Sequence, residues 1–503
     1  MSTATRSFTC LQCRFHTLRK PPRRLFHSSP QLLSTPKTLS ESQRLSLAPK
    51  VSLDIKHIRQ NEALHTQNCI ERNYRQASEY PARISSLYEL WHSCQHEGRD
   101  LRERNNVVKE KIANMKLGAT ATTTEQPEIL QEAKALKNSI AIIEQREAAL
   151  KSEIDGLAAS MPNFTSDSTP RGNAPKLLRF INAHPDPALD KPWRSHMGIG
   201  KEMQLLDFVA GASTTGWGWY YLLNEAALLE QALVQYALSV ARKAGWGVVA
   251  PPSMVYSHMG SACGFQPRDQ NGEQQVYSIQ QNAREVEKGK PELSLAGTAE
   301  IPLAGMKANT IMEAEELPSK RVGVSRCYRA EAGARGVGTK GLYRVHEFTK
   351  VELFAWTMPS DAESSTIFDE MVSLQTTILS SLGLHCRVLE MPSIDLGASA
   401  TRKIDMEAFF PSRRALDDGW GEVTSVSTCT DYQSRRLGTR VRVPGDKLSF
   451  PYTVNGTALA VPRVLAAILE NGWDEGAGEV RIPECLWPWM DGIKVIAPKT
   501  KSM

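Results

Sequence analysis

The chain has 503 residues, 41% of them hydrophobic and 23% charged, the balance of a folded globular protein too long for one average domain. No run reaches the ~18–20 uninterrupted apolar residues of a membrane-spanning helix; the most apolar stretch, residues 222–241, is broken by Glu225, Glu230 and Gln231. The formal charge of +5 is concentrated at one end, because seven of the 60 Lys and Arg and none of the 55 acids precede Glu41. That distribution excludes a uniformly basic nucleic-acid binder, and any RNA contact must come from a local patch.

Residues 1–40 are rich in Arg and Ser and free of acids, the composition of a mitochondrial presequence. Phe8, Leu11, Phe15, Leu18 and Leu25 line one face of a short basic helix, and Arg24-Leu25-Phe26-His27-Ser28-Ser29 reads as a matrix-peptidase cleavage site. The competing reading of this segment is a disordered basic tail that binds RNA. Nine scattered cysteines, an odd number, argue against a secreted disulfide framework. Cys10 and Cys13 have metal-like spacing, but no second pair or histidine cluster completes a zinc site.

Residues 83–157 carry a three–four apolar alternation. It runs Ile84, Leu87, Trp91, Cys94, Gly98, Leu101, Asn105, Val108, Ile112 and Met115. After a turn-like stretch at 117–127 it resumes with Ile129, Ala133, Leu136, Ile140, Ile143, Glu147, Leu150, Ile154 and Leu157. This is the seam of an antiparallel helical hairpin, a coiled coil whose polar members Asn105 and Glu147 fix the register. Arms of roughly 30 residues at ~1.5 Å rise would reach about 45 Å. Two readings stay open: a dimerisation coil, or an arm whose Arg99, Arg102, Arg104, Lys109, Lys111 and Lys116 contact phosphates. A Pro/Ser/Thr/Asp-rich break at 161–175 follows, and beyond it strands and helices mix without a βαβ rhythm, which predicts an α+β domain around an antiparallel sheet.

The chemistry-bearing residues fall in four short segments. Arg329-Ala330-Glu331 ends a strand and precedes a loop with Gly333, Gly336, Gly338 and Gly341. A second strand is predicted from Tyr343 to Phe354, with Arg344, His346, Phe348, Lys350 and Glu352 on one face. An arginine, an aromatic and a carboxylate on one face suit a nucleotide, although a solvated charged face has the same pattern. Thr298 and Glu300 are predicted side by side on a strand, as are Asn455 and Thr457, the latter pair leading into a helix with Arg463. A flat strand would split Glu422 and Ser425, three apart, between its faces; a bulge, or a metal approached from the strand end, would reunite them. No GxxxxGK[ST] loop and no strand-borne GxGxxG is present.

The order and wording of these segments resemble a family. Arg329-Ala330-Glu331 followed by residues 341–352 (GLYRVHEFTKVE) resembles motif 2 of class II aminoacyl-tRNA synthetases, and residues 455–463 (NGTALAVPR) resemble motif 3. The helix at 226–241 leading to Pro251-Pro252 resembles motif 1, the dimer element. Gly297-Thr298-Ala299-Glu300, Glu422-Val423-Thr424-Ser425 and the hairpin closed by Met161-Pro162-Asn163 narrow the likeness to the seryl-tRNA synthetases. The resemblance covers nearly everything after the leader. It implies a class II antiparallel sheet flanked by helices, a leader at 1–40, a tRNA-binding domain at 51–165 and a catalytic domain at 176–495.

The resemblance further implies that Thr298, Glu300, Arg329, Glu352, Asn455 and Thr457 bind serine. ATP would be held by Arg329, Glu331, Arg344, Val345, His346, Phe348, Glu422, Ser425 and Arg463, and Mg²⁺ by Glu422 and Ser425. Arg329 and Arg463 would carry catalysis by neutralising phosphate charge. The partners implied are serine, ATP, tRNA(Ser) and a second copy of the chain, with no membrane and no DNA. With the leader, the expected site of action is the mitochondrial matrix. Three departures from the family pattern stand out: Glu347 replaces a usual Gln, Gly216-Trp217-Gly218-Trp219 replaces a Gly-Ser-Arg-Phe-like run, and Phe409 replaces a common Trp. The rival from another class is a catalytically inactive relative serving as an RNA-binding or interaction protein. It would be expected to lose Arg329, Glu331, Glu352 or Arg463, and all four are present. A ligase that charges a carrier protein with serine is a third reading, against which the long hairpin speaks.

Overall fold

A computed structural model describes residues 48–116, 125–184, 194–265, 275–330, 341–445 and 447–498. The leader with Cys10 and Cys13, Glu331, and the loop glycines Gly333, Gly336 and Gly338 lie outside the described residues.

The alternating apolar seam folds as two long helices, α1 (Tyr80–Lys116) and α2 (Glu125–Ala159). They are longer than the arms expected from the seam and reach about 55 Å at ~1.5 Å per residue. Pro127, read as part of the turn, sits in the first turn of α2, where its missing N–H costs nothing. Ile84, Cys94, Val108, Leu136, Ile143 and Ile154 are buried along the contact between the arms. The polar seam member Glu147 faces Gly98, where a Cβ would come within 2.8 Å of its carboxylate, and Arg102 bridges Glu147 and Glu144 at 3.4 Å each. The glycine makes room for a charge that an apolar seam would otherwise expel.

At the foot of the hairpin, Arg436 donates to the carbonyls of Ala159 and Met161, where the helix leaves acceptors unpaired and its dipole is negative. Asn163 continues the attachment. Its amide donates to the carbonyls of Ser399 and Cys429 at 2.9 and 2.8 Å.

The remainder is built on an eight-stranded sheet. Its strands are β1 (Lys176–Ile181), β2 (Gly247–Val249), β3 (Ser319–Tyr328), β4 (Glu347–Thr357), β5 (Cys386–Glu390), β6 (Arg402–Phe409), β7 (Trp420–Thr430) and β8 (Tyr452–Ala460), in the order β1-β5-β6-β7-β8-β4-β3-β2. Every neighbouring pair is antiparallel except β2 with β3. Side-chain alternation divides β4 between two faces. Val351, Leu353 and Ala355 join one core with the helices α3 (Asn224–Lys243), α4 (Asp361–Ser381) and α5 (Val461–Asn471). Lys350 and Glu352 face the other way, where they line a cavity. Helices gathered on one face of an antiparallel sheet make the α+β class expected from the sequence.

Two sequence expectations are corrected. The strand predicted from Tyr343 begins only at Glu347, because Gly341–Tyr343 is a 3₁₀ turn with Gly341 at φ +77° and residues 344–346 lead into the sheet. Thr298 and Glu300 are not on a strand. Glu300 opens the short helix Glu300–Gly305, and the Thr298 hydroxyl accepts from its backbone N–H at 3.3 Å, turning the chain into the helix instead of along the sheet.

Candidate active site

Two adjoining cavities, of about 450 and 230 Å³, open on the sheet face away from α3, α4 and α5, and share Arg329, Lys350, Glu422, Ser425 and Thr457. In the larger one, Glu352 on β4 lies opposite Thr457 on β8, and Lys350 reaches Glu352 at 2.6 Å. Glu300 comes in from its helix and accepts a 2.6 Å bond from Gln433, whose own carbonyl accepts from Thr453. The Asn455 amide beside Glu300 and the Thr298 hydroxyl beside Glu352 each favour the ionised form of that carboxyl. Thr298 itself is fully buried behind the cavity wall, so it acts on the cavity through Glu352 and the Glu300 backbone.

Burial, and then the neighbouring Glu352, push the Glu300 carboxyl up to about 7. Burial also raises Glu352, with Lys350 as the main opposing influence. Two buried acids balanced by one lysine form a cavity that an ammonium group would complete.

Arg329 follows β3 at the junction of the two cavities, its Nε donating to the Gly297 carbonyl at 3.4 Å and its guanidinium 5.2 Å from the Phe348 ring. To the shared Glu422 and Ser425 the smaller cavity adds Arg344, Val345, Phe348 and Arg463. Arg463, in the first turn of α5, donates to the carbonyls of Tyr343 and Glu422, both at 2.9 Å, and meets the Glu422 carboxylate at 3.3 Å. Glu422 and Ser425 share a face through a bulge, one of the two devices their spacing left open. The β6–β7 register slips between Glu422 and Thr424, so Val423 is an extra residue and both Val423 and Thr424 turn inward.

Burial alone would raise the Glu422 carboxyl. Lys403, Arg463 and Arg329 outweigh it and hold the group well below the ordinary range. An ionised carboxylate and a hydroxyl on one wall are the hard oxygen donors that Mg²⁺ takes when phosphate oxygens and water complete its shell. Among the described residues no group of three or more His, Cys, Asp or Glu is placed to hold a metal ion.

His346 stands apart from the other nucleotide candidates. Its ring stacks on Trp219 and bonds Tyr277 and the Arg329 carbonyl, lining neither cavity, because the chain has not yet entered the β4 alternation. Its backbone carbonyl does serve the site by accepting from Arg329 N–H at 2.9 Å. Glu347 points toward Tyr328 and Arg326, away from the cavities.

Lys350 was placed on the site face from the sequence but given no role there, and the Lys403–Asp405 pair at 2.7 Å and Gln433 were not singled out. Period-two spacing placed Lys350 beside Glu352, and the same spacing was the available signal for Lys403 beside Asp405. Nothing in the spacing of Gln433 links it to Glu300, 133 residues earlier.

Comparison with known proteins agrees with this geometry. A family model described as the seryl-tRNA synthetase N-terminal domain matches residues 53–165, and one described as the tRNA synthetase class II core domain (G, H, P, S and T) matches residues 280–472. The mitochondrial serine–tRNA ligase of Saccharomyces cerevisiae is 44% identical over 366 residues, 72% of this chain and 78% of the relative. That of Schizosaccharomyces pombe is 38% identical over 440 residues, 87% of this chain and 88% of the relative. The crystal structure of seryl-tRNA synthetase from Pyrococcus horikoshii complexed with ATP superposes with a TM-score of 0.76 at 31% identity, covering 89% of this chain and all of that one. The sequence likeness thus spans the hairpin, the sheet and both cavities, and the chain belongs to the seryl-tRNA synthetases, the serine–tRNA ligases of class II.

Proposed function

We propose that this chain charges tRNA(Ser) with serine in the mitochondrial matrix, working as a homodimer with Mg²⁺. The observation that carries the assignment of the site is the meeting of two unlike cavities at Arg329: one has buried acids suited to an ammonium, the other arginines suited to phosphates. Serine would place its ammonium between Glu300 and Glu352 and its hydroxyl toward Asn455 and Thr457. ATP would stack its adenine on Phe348, with Glu331 near the adenine amine and Arg344 and Arg463 on the phosphates. Arg329 would then hold the serine carboxylate beside the α-phosphate and fork between them. Attack of that carboxylate gives seryl-adenylate and pyrophosphate, and the terminal ribose hydroxyl of the tRNA then takes the seryl group. Neither step needs a covalent enzyme intermediate. The chain's work is alignment and neutralisation of phosphate charge. Bound Mg²⁺, held by Glu422 and Ser425, would supply further neutralisation of the phosphate oxygens.

The dimer would form through the motif 1 region, where α3 leaves Leu228 and the edge strand β2 leaves Val248 exposed. The hairpin would then hold a tRNA whose acceptor end enters the partner subunit's site. Support for the matrix assignment is the acid-free leader together with the mitochondrial relatives. Charging of a mitochondrial tRNA(Ser) transcript tests the reading. Serine should be esterified in an ATP- and Mg²⁺-dependent reaction that Arg329→Ala abolishes, whereas a chain that binds the transcript and charges nothing would refute it.

A further inference from the structure

Behind the smaller cavity lies a buried polar cluster centred on His196 and Glu470, neither of which lines either cavity. His196 is 1% exposed and Glu470, in the last turn of α5, is 2% exposed. The Glu470 carboxylate accepts from His196 N at 3.0 Å, His196 Nδ1 at 2.8 Å, Tyr343 OH at 3.0 Å and Ser412 Oγ at 2.9 Å. On the other side of the ring, Leu342 N–H donates to His196 Nε2 at 3.0 Å. A backbone N–H can only donate, so Nε2 carries no proton and Nδ1–H faces the carboxylate, which fixes a neutral ring in one tautomer. The approach is so close that a Cβ on Gly341, at φ +77°, would stand 2.2 Å from Nε2. This contact, more than the turn alone, explains why glycine opens the Gly341–Tyr343 turn.

The residues gripped are the ones that enter the site. Leu342 and Tyr343 immediately precede Arg344, and the Tyr343 carbonyl accepts the 2.9 Å bond from Arg463 Nε. Glu470 and Arg463 stand on the same helix, so the cluster closes a loop: α5 to Glu470, to His196, to Leu342–Tyr343, and back to Arg463. A buried ionic network is weak evidence of stabilisation and is better explained by what it orients. We propose that His196 and Glu470 are positioning residues for ATP, a latch that sets the segment from Gly341 to Arg344 and, through the Tyr343 carbonyl, the Arg463 guanidinium.

This proposal rests on the smaller cavity being the ATP site, and the test separates the two. Pyrophosphate exchange by the full chain gives KM for ATP and for serine independently. His196→Ala and Gly341→Ala should each raise the ATP KM roughly tenfold or more while leaving the serine KM within about threefold. His196→Gln, which can return an acceptor to Leu342 N–H, should recover part of the loss. If His196→Ala fails to fold, Gly341→Ala and Tyr343→Phe, which removes only one donor to Glu470, carry the test, with Tyr343→Phe the milder. Equal rises in both KM values, or lower thermal stability with an unchanged ATP KM, would overturn the latch. Arg463→Ala is the control for the underlying reading: if it too leaves the ATP KM unchanged, the ATP assignment of the cavity fails, whatever the latch does.

Discussion

Glu300 carries a pH dependence whose sign follows from its surroundings. Burial, then Glu352, lift its carboxyl from 4.5 to about 7, so between those values the folded chain holds a proton that the unfolded chain has released. That difference lowers folding stability as pH rises through the window. An ammonium placed against Glu300 restores the ionised form, so serine binding should release this proton. KM for serine should therefore fall as pH rises toward 7, by up to about tenfold per unit, and level off above it. Glu300→Gln should bind serine weakly and lose that slope; a variant retaining the wild-type slope would assign it to another group. Much of this chemistry was legible in the sequence, because Glu300, Arg329, Glu352, Asn455 and Arg463 stand in short segments with recognisable wording. Gln433 and the His196–Glu470 pair were not, since their partners are 133 and 274 residues away and no local period reports such a contact.

Elements whose periodicity is imposed by burial were read correctly. The three–four seam gave both hairpin arms, since each seam position must meet the opposing helix. The spacing of Glu422 and Ser425 left a bulge or a metal at the strand end as the means of reuniting them, and the register slip at Val423 is the bulge. The failures are where local hydrogen bonding outweighs alternation: the Thr298 hydroxyl accepts from Glu300 N–H, and the turn that Gly341 opens takes up Tyr343, where the strand was expected to start. The connection between hairpin and sheet has a similar local origin. Asn163 bonds Ser399, Cys429 and Thr430 at once, and Ser399 lines the larger cavity. Asn163→Ala should cost about 2–3 kcal/mol, because carbonyls at the junction lose their donor. Urea unfolding measures that loss, and serine KM should rise severalfold as the 397–400 wall loosens; an unchanged melt would show that water replaces the amide without penalty.

At the scale of the whole molecule, serine activation belongs to the cavities and tRNA recognition to the hairpin arm in the proposed reading. Replacing residues 83–157 with a short Gly/Ser bridge should leave serine activation nearly intact while charging of tRNA collapses, because the arm would act through phosphate contacts remote from the cavities. Charging by the intact chain should also weaken steeply with salt as those contacts release condensed ions. A truncated chain that loses activation and becomes monomeric would identify the hairpin as a dimerisation coil instead. The two-cavity assignment bears on substrate choice as well, since polar groups arranged for a hydroxyl are left unpaired by alanine and reject it by several orders of magnitude. Serine-dependent ATP–pyrophosphate exchange tests the central claim most directly. The account predicts exchange with serine, at least about a thousandfold less with alanine, and none in Arg329→Ala; a folded wild-type chain that binds tRNA(Ser) but shows no serine-dependent exchange would contradict it.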